Sequence, residues 1–389
     1  MLQAFFNGLS GLFAFSKGLD NVSNNVSNMN TPGFRGSDTF YRSVSGQNGQ
    51  GLGAEVAGTE VRTKAGDPKQ TGNATDLAIN GGGYFVLRDG SGENFYTRSG
   101  QFQINADGYL VDTVTQKRVA GLTAGGALVD ININDQNTLP PKPTTRIEMV
   151  GTLARTGPTD PSYQISSVQV YDAKGDTHAV SLKFAQQSTP ADSWLVTVSD
   201  SAGTVLGTGT IAFGLDGSPA SGSNTLSFNL VAGQSITLDF GTPGSFNLAY
   251  QVASASSHTL QAKVSDGSAL AGLSTIGFDE KGVLKLTYSN GEKRDGQQVA
   301  LANFTDNTAL VVGEDSLYRA PATLRASYGR PAEGPFGRIQ GGYVELSNVD
   351  LSQEFGDILI IQRGYQASSR VMTVSNEMLE QLYNGTRGG

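Results

Sequence analysis

Apolar side chains recur along the first thirty residues at the spacing of an amphipathic helix. Eight positions follow at alternating intervals of three and four, and six of them are apolar: Leu2, Phe5, Leu9, Leu12, Ser16, Leu19, Ser23 and Val26. This repeat is typical of a coiled-coil seam. Thr31-Pro32-Gly33 then ends the pattern, because proline removes a backbone donor and glycine turns the chain. The sequence predicts an N-terminal core helix over residues 1–30.

The C-terminal residues carry the same repeat. Ten positions keep the spacing, and seven of them are apolar: Leu351, Phe355, Ile358, Gln362, Tyr365, Ser369, Met372, Asn376, Leu379 and Tyr383. Asn348 or Asp350 can cap the start of this helix, and Gly385 can end it. The pattern predicts a C-terminal core helix within residues 346–389.

Apolar stripes of this kind are unfavourable in water, and isolated helices of this length are marginally stable. We therefore expect the two ends to pack on each other and on copies of the same chain. Twelve apolar positions, which we call the predicted seam, are expected to form a polymerisation core: Leu2, Phe5, Leu9, Leu12, Leu19, Val26, Leu351, Phe355, Ile358, Tyr365, Met372 and Leu379.

The middle of the chain shows patterns of β structure instead. Residues 83–87 read as a buried strand, and Asp107-Gly108 is a hairpin turn signal between apolar residues. The 51 glycines support many tight turns. Apolar residues alternate with polar ones in further runs typical of strands: Val168, Val170, Val180, Leu182, Phe184, Trp194, Val196, Val198, Leu226, Phe228, Leu230, Ile236, Leu238 and Phe240.

Two segments mark domain boundaries in this β region. The stiff run Pro140-Pro141-Lys142-Pro143 precedes a new strand pattern, and residues 272–277 lead into another hairpin pattern. We predict an inner β domain made of residues 71–145 and 276–345, and an outer β domain, residues 146–275, inserted into it.

Residues 31–70 are predicted to be an extended linker, because Arg35–Ala65 is rich in Gly, Ser and Gln and reads as loop-like. The predicted fold class is mainly β, with two nested β domains, the inner one discontinuous and the outer one inserted. N- and C-terminal α-helices are predicted to form a coiled-coil-like base.

Composition and charge argue against several classes of function. The net charge is −8 and no Lys/Arg cluster occurs, which speaks against nucleic acid or an anionic membrane as the main partner. Cysteine is absent, which excludes disulfides and thiolate chemistry. No apolar run approaches the roughly 18–20 residues of a membrane-spanning helix. The N-terminal stretch lacks a preceding basic residue and a cleavage site, so we expect it to remain in the mature protein.

The sequence gives little support for a catalytic function. The two histidines, His178 and His258, lie in polar-flanked, strand-like stretches that fit a satisfied or solvent-facing role. No nucleophile elbow, phosphate loop or zinc spacing occurs. We expect a protein that is not an enzyme, with no catalytic, cofactor-binding or metal-binding residues.

Five asparagines, the first at Asn21 and the last at Asn30, lie inside or just after the N-terminal helix pattern. Asparagine is a mediocre helix former. These amides either fray and cap the helix end or hydrogen-bond laterally between packed helices and fix their register. The spacing favours neither interpretation.

Several blocks resemble the flagellar axial proteins of the rod and hook family. Residues 24–34, Asn-Asn-Val-Ser-Asn-Met-Asn-Thr-Pro-Gly-Phe, resemble its N-terminal signature. Residues 341–351 and 362–370 are similar to its C-terminal signatures, and residues 76–85 and 96–102 to its core β domain. The signature positions are Asn24, Asn25, Asn28, Asn30, Thr31, Pro32, Gly33, Phe34, Ser347, Asn348, Val349 and Asp350.

One position departs from the family pattern. Gly364 stands where these proteins usually carry a larger residue. Glycine weakens a helix by about 1 kcal/mol relative to alanine, so we expect Gly364 to mark a close helix contact or a bend.

The large inserted region is similar to the outer domain of hook subunits, and a distal rod subunit is the alternative. The resemblance implies a structural subunit that polymerises into a curved, flexible tube and passes motor torque to the filament as a universal joint. The implied partners are copies of the chain, the rod, hook cap and hook–filament junction proteins, and the export apparatus, with no nucleic acid and no membrane. The implied location is extracellular, in the bacterial flagellum, after type III export without a cleaved signal peptide.

A secreted adhesin or carbohydrate-binding β protein is an alternative of another class. Its sites would be exposed aromatic residues on the outer domain. Trp194 and Tyr171 are mild candidates, although core packing fits Trp194 better.

Overall fold

The computed structural model describes residues 2–45, 51–155, 162–188, 192–231, 233–252 and 257–387. The chain divides into two compact units. The first comprises Met1–Asp135, Thr275–Leu286 and Arg294–Gly389, and the second comprises Gln136–Ser274 and Thr287–Lys293. The finer domain limits given above stay a prediction.

The elements follow one another along the chain in three stretches. Up to residue 135 they are α1 (Leu2–Ser27), β1 (Ser37–Ser45), β2 (Gly51–Val61), β3 (Pro68–Gln70), β4 (Leu77–Asn80), β5 (Tyr84–Arg88), β6 (Asn94–Thr97), β7 (Phe102–Ile104), β8 (Leu110–Asp112), β9 (Arg118–Leu122) and β10 (Leu128–Asp130). The next are β11 (Thr138–Leu139), β12 (Arg146–Ala154), β13 (Ser162–Tyr171), β14 (Thr177–Gln187), β15 (Ser193–Ser199), β16 (Val205–Ala212), β17 (Thr225–Val231), β18 (Gln234–Asp239), β19 (Ala249–Val252), β20 (Gln261–Val264) and β21 (Ala271–Phe278). The last are β22 (Val283–Tyr288), β23 (Lys293–Val299), β24 (Leu301–Asn303), β25 (Val311–Val312), β26 (Tyr318–Arg319), β27 (Ser327–Gly329), β28 (Arg338–Gly341), β29 (Tyr343–Glu345) and α2 (Leu351–Arg387).

The mainly β fold with two terminal helices that pack together is confirmed. Asp350 caps α2, since its Oδ1 accepts a hydrogen bond from the Ser352 backbone N–H at 2.8 Å. The expectation that Gly385 ends this helix is wrong, because α2 continues to Arg387.

The second unit contains two sheets with a common core. One sheet has the strand order β13-β14-β15-β16, and the other has β17-β18-β12-β19 with β20 also beside β12. The alternating apolar residues predicted for this region lie in the core or pack against it. Trp194 is fully buried, and its Nε1 donates a hydrogen bond to Gln251 Oε1 at 3.0 Å.

In the first unit, β5 lies at the centre of the β body and pairs with β6, β9 and β24. The predicted buried strand is confirmed, since Phe85 is fully buried. Beside it, Tyr84, Tyr96, Phe304 and Tyr318 pack with ring centroids 4.8 to 6.0 Å apart. Burial raises the pKa of the Tyr318 hydroxyl to about 12.

Hairpin turns in both units repeat one local arrangement. At Asp200 the side-chain Oδ1 accepts the backbone N–H of Ala202 and of Thr204, and the backbone carbonyl accepts the N–H of Gly203. Gly203 has φ +83°, which favours glycine because it has no Cβ. Asp279 and Gly282 form the same turn. An Asp followed three residues later by Gly therefore predicts a tight hairpin here.

Residues 37–61 contradict the loop-like linker predicted from composition. Wherever the structure describes this stretch, β1 and β2 form an antiparallel hairpin in which Ser37 pairs with Val61. The hairpin lies along α1, and the Ala54 backbone N–H donates to Ser10 Oγ at 3.3 Å. Packing on the helix gives the small residues of β2 a strand environment that their intrinsic propensity does not predict.

Candidate functional site: the paired terminal helices

The helices α1 and α2 pack against each other in antiparallel orientation at very close range. A Cβ atom placed on Gly8 would lie 3.1 Å from the Ser368 carbonyl oxygen, and one on Gly18 would lie 3.3 Å from Ile361 Cδ1. Between them, the Phe15 ring covers Gly364, where a Cβ would lie within 3 Å of ring atoms. Gly364 therefore marks a close helix contact.

The contact line on α1 is displaced by one residue from the predicted seam. It consists of Gly8, Gly11, Phe15, Gly18, Val22 and Asn25, each one position before a member of the predicted repeat. On α2 the corresponding line includes Glu354, Ile361, Gly364 and Ser368. Small residues let the two helices approach, and the side chains of Phe15, Val22 and Ile361 pack between the glycines.

The predicted seam is consequently left uncovered in part. Leu19, Leu351, Phe355 and Tyr365 are exposed, with Phe355 at 53% and Tyr365 at 47%. Phe5, Leu9, Leu12, Val26, Ile358, Met372 and Leu379 are half-buried, and the Leu2 side chain lies outside the described residues. Their role as a polymerisation core stays a prediction.

A polar network ties α1, the hairpin and α2 together. The Asn25 amide donates to Glu354 Oε2 at 3.1 Å and to the Ser37 carbonyl at 2.9 Å, while Asn25 Oδ1 accepts the Ser37 N–H at 3.0 Å. The Ser37 carbonyl also accepts a hydrogen bond from the Asn21 amide at 2.7 Å. Asn25 and Glu354 are fully buried. Of the two interpretations of the asparagines, this geometry favours for Asn25 the one in which the amide hydrogen-bonds laterally between packed helices.

Arg62 neutralises the buried Glu354 carboxylate. Its Nη1 lies 2.6 Å from Glu354 Oε1, and its Nε and Nη2 donate to Asp38 Oδ1 at 3.0 and 2.7 Å. The hydrogen bonds to Asp38, and then those to Glu354, raise the pKa of the guanidinium against the opposing effect of burial. Arg62 therefore stays charged and links β2 to the start of α2.

A second buried ion cluster lies at the end of β29. Glu345 accepts hydrogen bonds from Arg98 Nε at 2.7 Å and from Arg35 Nη2 at 3.4 Å. Arg98 is 1% exposed, and it also donates to the carbonyl oxygens of Ile79, Gly81 and Gly83. Burial lowers the pKa of Arg98, opposed by Glu345.

The signature positions surround these two networks. Asn348 Oδ1 accepts the Gly36 N–H at 2.8 Å, and the Gly33 N–H donates to the Glu345 carbonyl at 2.8 Å. Asn28 instead donates back to the Asn24 carbonyl at 3.0 Å. This bond fits the other interpretation, in which the amides act locally at the end of their own helix. The remaining signature residues, Asn30, Thr31, Pro32, Phe34, Ser347, Val349 and Asp350, lie in the segments that follow α1 and precede α2.

Sequence reasoning missed the charged members of both networks. Glu354 carried a usable signal, since it is an acidic residue on the same 3–4 repeat as Ile361 and Ser368, where a partner is required if the position is buried. Arg62, Arg98 and Glu345 carried none, because their partners are distant in sequence.

The histidines have ordinary partners. His258 Nδ1 accepts the Ala154 N–H at 3.1 Å, and His178 Nε2 lies 3.3 Å from Asp172 Oδ2. Trp194 is too deeply buried to bind a carbohydrate, and Tyr171 is half-buried. Among the described residues, no helix combines the length and the apolar character needed to cross a membrane.

Family models match four parts of the chain. They are described as "Flagella basal body rod protein" (residues 6–35), "Flagellar hook protein FlgE/F/G D1 domain" (78–147), "Flagellar basal body protein FlaE D2 domain" (132–317) and "Flagellar basal body rod FlgEFG protein C-terminal" (340–384). The matches include both terminal helices and both β regions.

Individual relatives match over nearly their full length. The flagellar hook protein FlgE of Salmonella typhimurium is 28% identical over 414 residues, which cover 98% of this chain and 100% of the relative. The protein of the same name from Borreliella burgdorferi is 26% identical over 440 residues, covering 98% and 99%. The solved structure of Helicobacter pylori flagellar hook protein FlgE2 aligns with 71% of this chain and 100% of its own, at 14% identity and a TM-score of 0.48. With four family models in order and relatives matched along their length, the chain belongs to the family of flagellar rod and hook proteins.

Proposed function

We propose that this chain is the structural subunit of the flagellar hook and that it polymerises through its terminal helices into a curved, flexible tube that passes motor torque to the filament. The observation that carries the proposal is the apolar surface left open on the α1–α2 pair, where Phe13 is 67% exposed and Phe355 53%. Exposed apolar surface of this extent marks an interaction site. Relatives named as hook proteins support hook over rod.

The proposed partners are copies of the same chain, together with rod, hook cap and hook–filament junction proteins and the export apparatus. The proposed location is the extracellular part of the flagellum, reached through type III export without a cleaved signal peptide. In a free subunit the terminal helices are expected to be largely disordered, because they gain most of their stability from packing.

Electron microscopy of the purified, concentrated protein tests this proposal. The full-length chain is expected to form curved tubes, and chains lacking residues 1–30 or 351–389 are expected to stay monomeric while their circular dichroism keeps the β signal of the body. Tubes from either truncated chain would contradict assembly through the helices. Straight rods from the full-length chain would favour the rod alternative.

A further inference from the structure

A cleft of about 670 Å³ lies in the second unit, where strands of its two sheets come together. Arg155 follows β12 and Gln251 lies in β19 of one sheet, whereas Asp192 precedes β15 and the turn at residues 214–217 follows β16 of the other. Sites for small molecules typically measure about 300–1,000 Å³. The cleft therefore has the size of a ligand site, and its described lining lies wholly within the second unit.

The polar groups of the cleft hold one another in place. Asp192 Oδ1 lies 2.8 Å from Arg155 Nη1 and accepts a hydrogen bond from Gln251 Nε2 at 2.8 Å. Gln251 Oε1 in turn accepts the indole N–H of the buried Trp194 at 3.0 Å. A guanidinium, a carboxylate and a carboxamide are thus fixed side by side. Together they offer donors and acceptors at the spacing of neighbouring hydroxyl groups.

Exposed apolar side chains adjoin this polar array. Phe246 is 56% exposed, and its ring packs edge-on against Tyr250 with the ring centroids 5.8 Å apart. Leu215 is fully exposed in the turn at residues 214–217. The Gln251 backbone N–H donates to the Gly217 carbonyl at 2.8 Å and ties this turn to β19. An exposed aromatic ring beside fixed polar groups is the combination that small-molecule sites use.

We propose that this cleft binds a neutral carbohydrate. One face of a pyranose ring consists of C–H groups that pack on an aromatic ring, and its edge carries hydroxyl groups that exchange hydrogen bonds with such a polar array. A purely apolar ligand would cover the Asp192 carboxylate without offering it a donor, which is costly. The described lining contains two carboxylates, Asp192 and Asp216, and one cation, Arg155, so an acidic sugar is disfavoured.

The binding site is additional to the proposed hook function and does not depend on it. Phe246 supplies the exposed ring, in place of Trp194 and Tyr171, which the sequence suggested for a carbohydrate site. Trp194 instead reports on the cleft. It is the only tryptophan of the chain, and its N–H is bonded to Gln251, so a ligand that engages Gln251 changes the indole fluorescence.

The experiment titrates the unassembled full-length chain with neutral oligosaccharides of glucose, N-acetylglucosamine, mannose and galactose, and with sialyllactose as the acidic probe. At least one neutral oligosaccharide is expected to give a saturable change in Trp194 fluorescence, with binding heat of the same midpoint in calorimetry. Sialyllactose is expected to give neither signal. Saturation by none of the neutral oligosaccharides, or tighter binding of sialyllactose, would overturn the proposal.

Four single variants place the binding in the cleft. Phe246→Ala and Arg155→Gln are each expected to weaken binding by about tenfold or more. Leu270→Ala and Arg146→Gln are the matched controls, because both residues are exposed, belong to the second unit and lie outside the cleft lining. Both controls should bind as the wild type does, and all four variants should keep its thermal unfolding. Wild-type affinity in Phe246→Ala would refute the site.

Discussion

The side-chain amide of Asn25 donates a hydrogen bond to Glu354 across 329 positions of the chain, and both side chains are fully buried. This contact joins α1 to the first turn of α2, next to Ser37, where the β1–β2 hairpin begins. Because Arg62 holds the other oxygen of the same carboxylate, the three elements share one acceptor. The position of α1, α2 and the hairpin along one another therefore depends on the Glu354 carboxylate.

Glu354→Ala is expected to weaken the helix pair strongly. The substitution removes one of the two carboxylates that Arg62 binds and one acceptor of the buried Asn25 amide, while Asp38 and the Ser37 carbonyl remain, so a loss of about 1–3 kcal/mol is expected. The measurement is the urea midpoint at which assembled protein loses its helical circular dichroism. Glu55→Ala is the control, because its ion pair with Arg42 is exposed and worth about 0–1 kcal/mol. Equal midpoints for the two variants would contradict a structural role for Glu354.

Arg98→Lys is expected to destabilise the β body of the first unit although the charge is kept. Lysine cannot reproduce the fork by which Arg98 reaches Glu345 and three backbone carbonyls at once. Thermal unfolding should shift down by several degrees. Arg338→Lys, at an exposed pair with Glu280, should unfold like the wild type. A wild-type transition for Arg98→Lys would refute the expectation.

Two glycines of α2 are expected to respond oppositely to alanine. Gly356→Ala meets no atom within 4 Å and should stabilise the helix by about 1 kcal/mol. Gly364→Ala places a Cβ against the Phe15 ring, so the propensity gain is offset by displacement of that ring. Helical content and the critical concentration for polymerisation report both effects. Similar gains from both substitutions would rule out the close contact.

Alkaline pH is expected to destabilise the aromatic core of the first unit. Tyr318 has a folded pKa of about 12 against about 10 in an unfolded chain. Its contribution is therefore complete below pH 10 and is lost as the pH rises towards 12. Comparing the thermal unfolding of Tyr318→Phe with that of the wild type at pH 8 and pH 11 tests this, and the variant should lose less stability between the two. An equal loss of stability in the variant and the wild type would show that groups other than Tyr318 cause the destabilisation at alkaline pH.

The helices and the core strands were predictable because they depend on local periodicity. Leu2–Ser27 and Leu351–Arg387 follow the 3–4 repeat, and the alternation through Val168 and Val170 places those valines in the core of the second unit. The face that closes the helix pair was not predictable. Gly8 and Gly11 carry no hydrophobic signal, yet they make room for Ser368 of α2, and Gly18 makes room for the Tyr41 hydroxyl of β1.

Local sequence patterns could not predict the polar networks, for a different reason. Arg98 reaches Glu345 across 247 positions, so its burial depends on tertiary pairing that composition does not reveal. Composition does not predict the hairpin of Ser37–Ser45 and Gly51–Val61, because Gly, Ser and Gln are typical of loops, whereas α1 provides a surface on which small residues pack.

The glycine contacts between α1 and α2 also have a mechanical consequence. Two rods packed closely side by side act as a flat strip whose material lies mainly along the line joining the two axes. Such a strip resists flexing within the plane of the two axes and yields more easily across it. The helix pair therefore has a preferred direction of deflection, set by Gly8, Gly18 and Gly364.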